Sequence, residues 1–208
     1  MGKAIFSPRQ EQIVLGTTLG DGYLRMGKSS ANARLETKSK DRDYIFWKYR
    51  ELFSTGLFSH PPKIRPLGAW LLYSKCHPIF TELRSLFYPK GRKIVPPEVL
   101  ENLEPLGLAV WYMDDGSLNP LIRKSRPGKV YPRVFLCTDN FSHEENKLIR
   151  TWLESRFHLR YVTVGGVSGS PNRYRIRILG NNGVNALMKV VGPYVIYPMS
   201  RKFRMVKP

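Results

Sequence analysis

Twice in this sequence an apolar run stops abruptly at an acidic residue followed by glycine. The fuller copy is Leu108-Ala109-Val110-Trp111-Tyr112-Met113-Asp114-Asp115-Gly116. Val14-Leu15-Gly16-Thr17-Thr18-Leu19-Gly20-Asp21-Gly22 repeats it, earlier by close to half of the 208-residue chain. Each run is entered through a helix start. Ser7-Pro8-Arg9-Gln10 has the N-cap serine, first-turn proline and N3 glutamine of a capping box, and Pro105 opens the second helix in the same way. Gly22 and Gly116 suit the left-handed residue that commonly follows a last helical turn. Asp21 and Asp115 therefore fall at helix C-termini, where unpaired carbonyls carry partial negative charge.

An anion is disfavoured at that pole, and two such ends brought together repel further. A divalent cation reverses the sign. Ligation by carboxylates, backbone carbonyls and water is the oxygen-only coordination that Mg²⁺ accepts. The ligand candidates are Asp21 and Asp115 with the adjoining Gly20 and Asp114, for Mg²⁺ or another divalent cation such as Mn²⁺. Gly16 and Gly20 lie one turn apart and leave one helix face nearly bare, so a second backbone can approach closely there. A single Asp-Gly reads better as an ordinary turn. Two copies, each after a capped apolar run, favour a functional pair.

These segments resemble the paired motifs of the LAGLIDADG homing endonucleases, in the branch that carries both motifs in one polypeptide. Leu108 and Ala109 match the motif's opening Leu-Ala, and Asp115-Gly116 its closing Asp-Gly. The first copy, opening with Val14-Leu15, is looser. The resemblance implies an α+β fold of two tandem, pseudo-two-fold αββαββα subdomains, residues 1–97 and 98–208. Their antiparallel sheets would form a saddle over DNA, with the two motif helices packed at its centre. It also implies that Asp21 and Asp115 bind catalytic metals and that a basic residue works beside each. Arg92-Lys93-Ile94-Val95-Pro96 and Pro198-Met199-Ser200-Arg201-Lys202 match the family's two positions, which gives Lys93 and Lys202, with Arg92 and Arg201 as adjacent alternatives. Either lysine alone would more often be a phosphate clamp or a solvated end. The family's polar residue near the attacking water corresponds to Glu36 in the first half and to Cys137 or Asp139 in the second. Glu36 equally suits an ion pair with Arg34 or Lys38.

Charge points to the same class of partner. Thirty-four Lys and Arg against sixteen Asp and Glu leave a formal charge of +18, with 42% hydrophobic and 12% aromatic residues to build a core. Such an excess calls for a polyanion, and nucleic acid fits best. No apolar run reaches the ~18 residues of a membrane span, so no membrane partner is expected. Cys76 and Cys137 lack zinc-finger spacing and the density of a disulfide scaffold, and read as small, partly buried thiols of a reducing compartment. The N-terminus shows a helix cap where a secretion signal needs an apolar core, so the protein is expected inside the cell, in cytoplasm, nucleoid or an organelle matrix.

Along the chain, two strands around a turn at Gly27-Lys28-Ser29-Ser30 follow the first motif, with Arg34, Glu36 and Lys38 at alternate positions. A helix over 41–57 sets Ile45, Tyr49, Leu52 and Phe53 near one face. Strands around 64–74 come next, then a helix from His77 to Phe87. The second half repeats this order: strands within 118–138 around Pro127-Gly128, a helix capped by Ser142-His143-Glu144-Glu145, strands within 160–179 joined by a loop from Gly165-Gly166 to Ser170-Pro171, and a helix over 185–191. Leu136-Cys137-Thr138 sits opposite Leu35-Glu36-Thr37, as a duplication requires. Arg173, Arg175 and Arg177 form one face of the last strand, against Tyr174, Ile176 and Ile178. Arginine on a two-stranded ribbon suits the major groove, where it bonds guanine O6 and N7, whereas lysines and loop arginines suit phosphates. The candidate DNA contacts are Arg25, Lys28, Arg34, Lys38, Lys63, Arg65, Lys75, Arg123, Lys124, Arg126, Arg133, Arg173, Arg175 and Arg177. For most single basic residues a solvated charge is the better reading; the row on the last strand is the exception.

The function expected is hydrolysis of both strands of a long, non-palindromic DNA site by a monomer, with the family's short 3′ overhangs. Two rivals stand beside it: an intron RNA maturase and a cleavage-dead, sequence-specific DNA-binding protein. Both motif aspartates, Lys93 and Lys202 argue against the dead version. The four histidines show no zinc or His-metal finger spacing, and no phosphate-binding Gly-Lys-Ser/Thr loop is present.

Overall fold

The structure, a computed structural model, describes residues 5–27, 29–122 and 129–203. Lys28, Arg123, Lys124, Arg126 and the Pro127-Gly128 turn lie outside the described residues. The chain divides into two compact units, Met1–Lys93 and Ile94–Pro208.

In the first unit the order is α1 (Pro8–Leu19), β1 (Tyr23–Met26), β2 (Ala33–Ser39), α2 (Arg42–Phe53), β3 (Lys63–Ile64), β4 (Trp70–Tyr73) and α3 (Pro78–Phe87). The second opens with a short helix, α4 (Pro97–Glu101). It then runs α5 (Pro105–Asp115), β5 (Gly116–Ile122), β6 (Val130–Leu136), α6 (His143–Phe157), β7 (Val162–Val167), β8 (Ser170–Leu179) and α7 (Gly180–Val191). It closes in two 3₁₀ turns, Gly192–Tyr194 and Tyr197–Phe203. Both sheets are antiparallel with the same strand order, β1-β2-β4-β3 and β5-β6-β8-β7. The expected α+β repeat of αββαββα is therefore the fold, twice in one polypeptide.

The local causes are those the sequence carries. Ser7 and Gln10 form the capping box of α1, Asp41 caps α2 through Tyr44 N, and Ser142 with Glu145 boxes α6. His77 caps α3, its Nδ1 accepting from Ile79 N, a structural use of that histidine. From Ile13 to Leu19 and from Leu106 to Met113 every residue of the two motif helices is buried. A helix apolar all round can sit only in an interior. The sheets are amphipathic by alternation: Leu24, Ala33, Leu35 and Leu72 face the helices of their unit, as do Val134, Leu136, Ile176 and Ile178 in the other.

Several boundaries differ from expectation. α2 stops at Phe53, four residues before 57, because Ser54, Thr55 and the left-handed Gly56 (φ 72°) turn the chain, and Phe53 is left 54% exposed. Gly165 and Gly166 belong to β7, and Ser170 and Pro171 to β8, so the connection is only Ser168-Gly169. α7 begins at Gly180, not 185, since Gly180 (φ 73°) makes the turn out of β8 and Gly183 is held close to Arg160 O inside the helix. Both glycines look like breakers in sequence, yet one turns the chain and the other permits packing.

Gly22 and Gly116 also differ. Neither is left-handed; a Cβ at Gly22 would fall under 3.0 Å from Thr17 O and Thr18 Cα, and one at Gly116 would strike the Tyr112 ring. Close approach, not φ, demands glycine. Gly22→Ala and Gly116→Ala are each expected to cost about 1–3 kcal/mol by overpacking. Gly166→Ala, which meets open space, should stay within about 0.5 kcal/mol. Urea unfolding of the three variants checks this.

Candidate functional site

An aspartate stands at the end of each motif helix, Asp115 as the last residue of α5 and Asp21 two residues past the end of α1, and in each unit a lysine from that unit's C-terminal end donates to a backbone carbonyl there. Lys93 Nζ donates to Gly20 O at 2.8 Å and to Leu19 O and Gly22 O at 3.2 Å. Lys202 Nζ donates to Asp114 O at 2.7 Å. An ammonium at the negative pole of a helix is the favoured charge there, so the lysines lie beside Asp21 and Asp115 for an electrostatic reason. Arg201 instead donates to Pro198 O at 2.9 Å, and Arg92 is exposed.

At each helix end oxygen donors are at hand, the Asp21 carboxylate and Gly20 carbonyl in one unit and the Asp115 carboxylate and Asp114 carbonyl in the other, each carbonyl having a second lone pair beside the one given to lysine. Among the described residues no three His, Cys, Asp or Glu side chains gather as a metal cage. A hard divalent ion that keeps water and takes phosphate oxygens fits such a donor set; a closed zinc site does not.

Strand positions next to these ends differ between units. Glu36, on β2 opposite Tyr23, accepts from Arg34 at 2.9 and 2.6 Å and pairs with Arg25 at 3.4 Å. Arg34, not Lys38, is thus its partner, joined by Arg25. In the second unit Cys137 N donates to Asp115 O at 3.0 Å. Cys137 is exposed, not partly buried as expected, because it lies past the end of β6 on the sheet face turned from the helices. Desolvation nonetheless pushes its thiol above the ordinary range; Asp139 and Asp115 add to the rise, against Arg175 and Lys202. Asp139 accepts from Arg175 Nε at 2.9 Å and from its Nη2. That bidentate bond holds the Arg175 pKa above its usual value.

Away from the helices, the first sheet turns out Tyr23, Arg25, Arg34, Glu36, Lys38 and Lys63, with Tyr73 beneath Arg34 at 5.2 Å. Arg65 and Lys75 are exposed beside it. The second sheet gathers Arg133, Arg175 and Arg177 around one ring, with guanidinium carbons 4.4, 5.3 and 5.9 Å from the centroid of Phe135. Arg173 is exposed on the same strand. Arg177 lies across Gly165, where a Cβ would meet its guanidinium, and donates to Gly166 O. Among the described residues no carboxylate pairs with Arg133 or Arg177, and the Nε of each is buried without a hydrogen-bond partner. Desolvation, then the neighbouring charge of Arg177, lowers the Arg133 pKa. Phe135 as the platform was missed in sequence; its signal was the Arg133–Phe135 alternation facing Arg175 and Arg177 across two strands.

The fold and these helix ends define a tandem-repeat α+β protein with one acidic site per repeat. Residues 11–185 match the model of the LAGLIDADG DNA endonuclease family, and the chain belongs to that family. It is similar to a probable intron-encoded endonuclease 1 of Wickerhamomyces canadensis, 27% identical over 93% of this chain and 83% of that protein. It also resembles the RecA protein of Mycolicibacterium flavescens, 27% identical over 94% of this chain but 46% of that one. The chain thus spans less than half the length of such RecA relatives. Among solved structures, the homing endonuclease I-WcaI bound to its DNA recognition sequence superposes with a TM-score of 0.80, at 25% identity, over 99% of this chain and 90% of the other. The meganuclease I-SmaMI shares the fold at 11% identity and a TM-score of 0.58. Among the described residues no helix is long and apolar enough to cross a membrane.

Proposed function

We propose that this protein is a site-specific DNA endonuclease that hydrolyses both strands of a long, asymmetric duplex target. The observation that carries the reading is the repeated helix end, an aspartate beside carbonyls that already hold a lysine ammonium, Lys93 in one unit and Lys202 in the other. The DNA-bound state of I-WcaI supports the choice of duplex DNA.

The Asp21 and Asp115 carboxylates, with the Gly20 and Asp114 carbonyls, would hold Mg²⁺ or another divalent ion such as Mn²⁺. What such an ion supplies when bound is a water of lowered pKa and charge neutralisation at phosphate. The chain's own part is separate. Lys93 and Lys202 hold a fixed positive charge at each helix end, where negative charge develops on the phosphate and the leaving 3′ oxygen. Glu36 orders Arg25 and Arg34, so its access to water requires those arginines to turn to DNA. The two halves differ at this position, Glu36 against Cys137, and across their basic rows, which suits a target without a palindrome and a single chain acting alone.

The test is cleavage of a duplex library containing the native insertion site, with Mg²⁺ and then with Ca²⁺. Discrete double-strand breaks at one long motif are expected with Mg²⁺. No site-specific cutting with any divalent ion would overturn the reading. A maturase reading has one observation in its favour, the cytochrome b mRNA maturase bI2 of Debaryomyces hansenii, 23% identical over 92% of this chain and 72% of that protein. Intron RNA binding and a splicing assay address it separately.

A further inference from the structure

The two lysines are held by different means. Lys93 is fixed by three carbonyls that follow one another around the end of α1. Lys202 sits in the last 3₁₀ turn, Tyr197–Phe203, whose backbone has a further tie to the motif helix besides the lysine's own bond to Asp114 O. That tie is Tyr112. Its hydroxyl donates to Lys202 O at 2.9 Å, and its ring packs edge-on to Phe203 with centroids 5.0 Å apart.

Tyr112 is almost wholly buried. The ring fills the space in which Gly116 has no Cβ. One residue of the motif helix thus grips both Lys202 and Phe203, while Lys202 Nζ bonds Asp114 O two residues further along the same helix. In α1 the equivalent place, three residues before Asp21, is Thr18, whose hydroxyl merely bonds Val14 O at 2.8 Å within the helix.

We propose that Tyr112 is a positioning residue that sets the Lys202 ammonium on the end of α5. The inference rests on the endonuclease reading, in which Lys202 serves one of the two cutting events. Tyr112→Phe keeps the ring against Phe203 and Gly116 and removes only the bond to Lys202 O. It is compared with Lys202→Met and the double variant on supercoiled plasmid carrying the target, with each strand followed separately and duplex binding measured in Ca²⁺.

The result expected is one strand slowed about tenfold or more, the same strand that Lys202→Met slows. Nicked circles should accumulate while Ca²⁺ binding stays unchanged. The double variant should cut no slower than Lys202→Met alone, because Tyr112 acts through the lysine. Wild-type rates on both strands, equal slowing of both, or additive losses in the double variant would each overturn it. Reductive methylation of lysines, read by mass spectrometry, needs no cleavage. Faster modification of Lys202 in Tyr112→Phe supports the positioning role even if wild type cuts nothing and the endonuclease reading falls. Unchanged modification in that case overturns the inference as well.

Discussion

Asp21→Asn and Asp115→Asn should each lower the rate of double-strand cleavage by about 10³-fold or more, roughly 4 kcal/mol of transition-state stabilisation. Neither should weaken duplex binding in Ca²⁺ appreciably. The asymmetry follows from place. Each aspartate follows helical turns that are buried on every side and whose end carbonyls already hold an ammonium, so the carboxylate is set among groups that favour a cation. Asparagine keeps the shape and removes the charge. The ammonium beside each carboxylate offsets the carboxylate's conflict with the macrodipole, typically about 0.3–1 kcal/mol, so the substitutions should leave the thermal midpoint nearly unchanged. Gel-resolved cleavage, binding and thermal melts of the same preparations check all three. An Asn variant that still makes double-strand breaks at the wild-type rate would remove that aspartate from the site.

Much of this was legible in sequence because it depends on local chemistry. Capping boxes at Ser7 and Ser142, prolines at first turns and the alternation through Arg34-Leu35-Glu36 each act within a few residues, and each forms the element it signals. The duplicated element order is visible for the same reason. The pairing of Lys93 with Gly20, and of Lys202 with Asp114, links residues 73 and 88 positions apart. Only a resemblance to a family could suggest it, since no local rule acts over that separation.

What stayed hidden was long-range packing at glycine. Gly22, Gly116 and Gly165 read as turn or loop residues, but each is small because something lies against it: the backbone of α1, the ring of Tyr112 and the guanidinium of Arg177. Ion pairing was hidden in part for a similar reason. Alternation puts Arg34 and Glu36 on one face, yet the addition of Arg25 depends on strand register, as does the bond between Arg175 and Asp139. Those two pairings decide which arginines are committed within the protein.

Among the described residues Arg133 and Arg177 are the pair that no carboxylate answers, and replacing them should have the second large effect. Each alanine variant should weaken specific DNA binding by about 1–3 kcal/mol, and the double variant by roughly the sum, on the order of 10²- to 10⁴-fold. Three guanidiniums within 6 Å of one phenyl ring repel one another, and among the described residues only Arg175 is answered by an acid, Asp139. Both lie near the Phe135 ring, with Arg177 across Gly165 and bonded to Gly166 O, so an acceptor-rich ligand would relieve the remaining field between them. A guanine edge offers O6 and N7 in the plane of a guanidinium, and a strand face can enter the major groove. Discrimination at one or two base pairs should therefore fall along with affinity. Lys63→Ala on the first sheet provides the contrast, a uniform loss across sequences with a salt slope shallower by about one. If Arg133→Ala and Arg177→Ala behave as Lys63→Ala does, with selectivity intact, the cluster holds phosphate and sequence is read elsewhere.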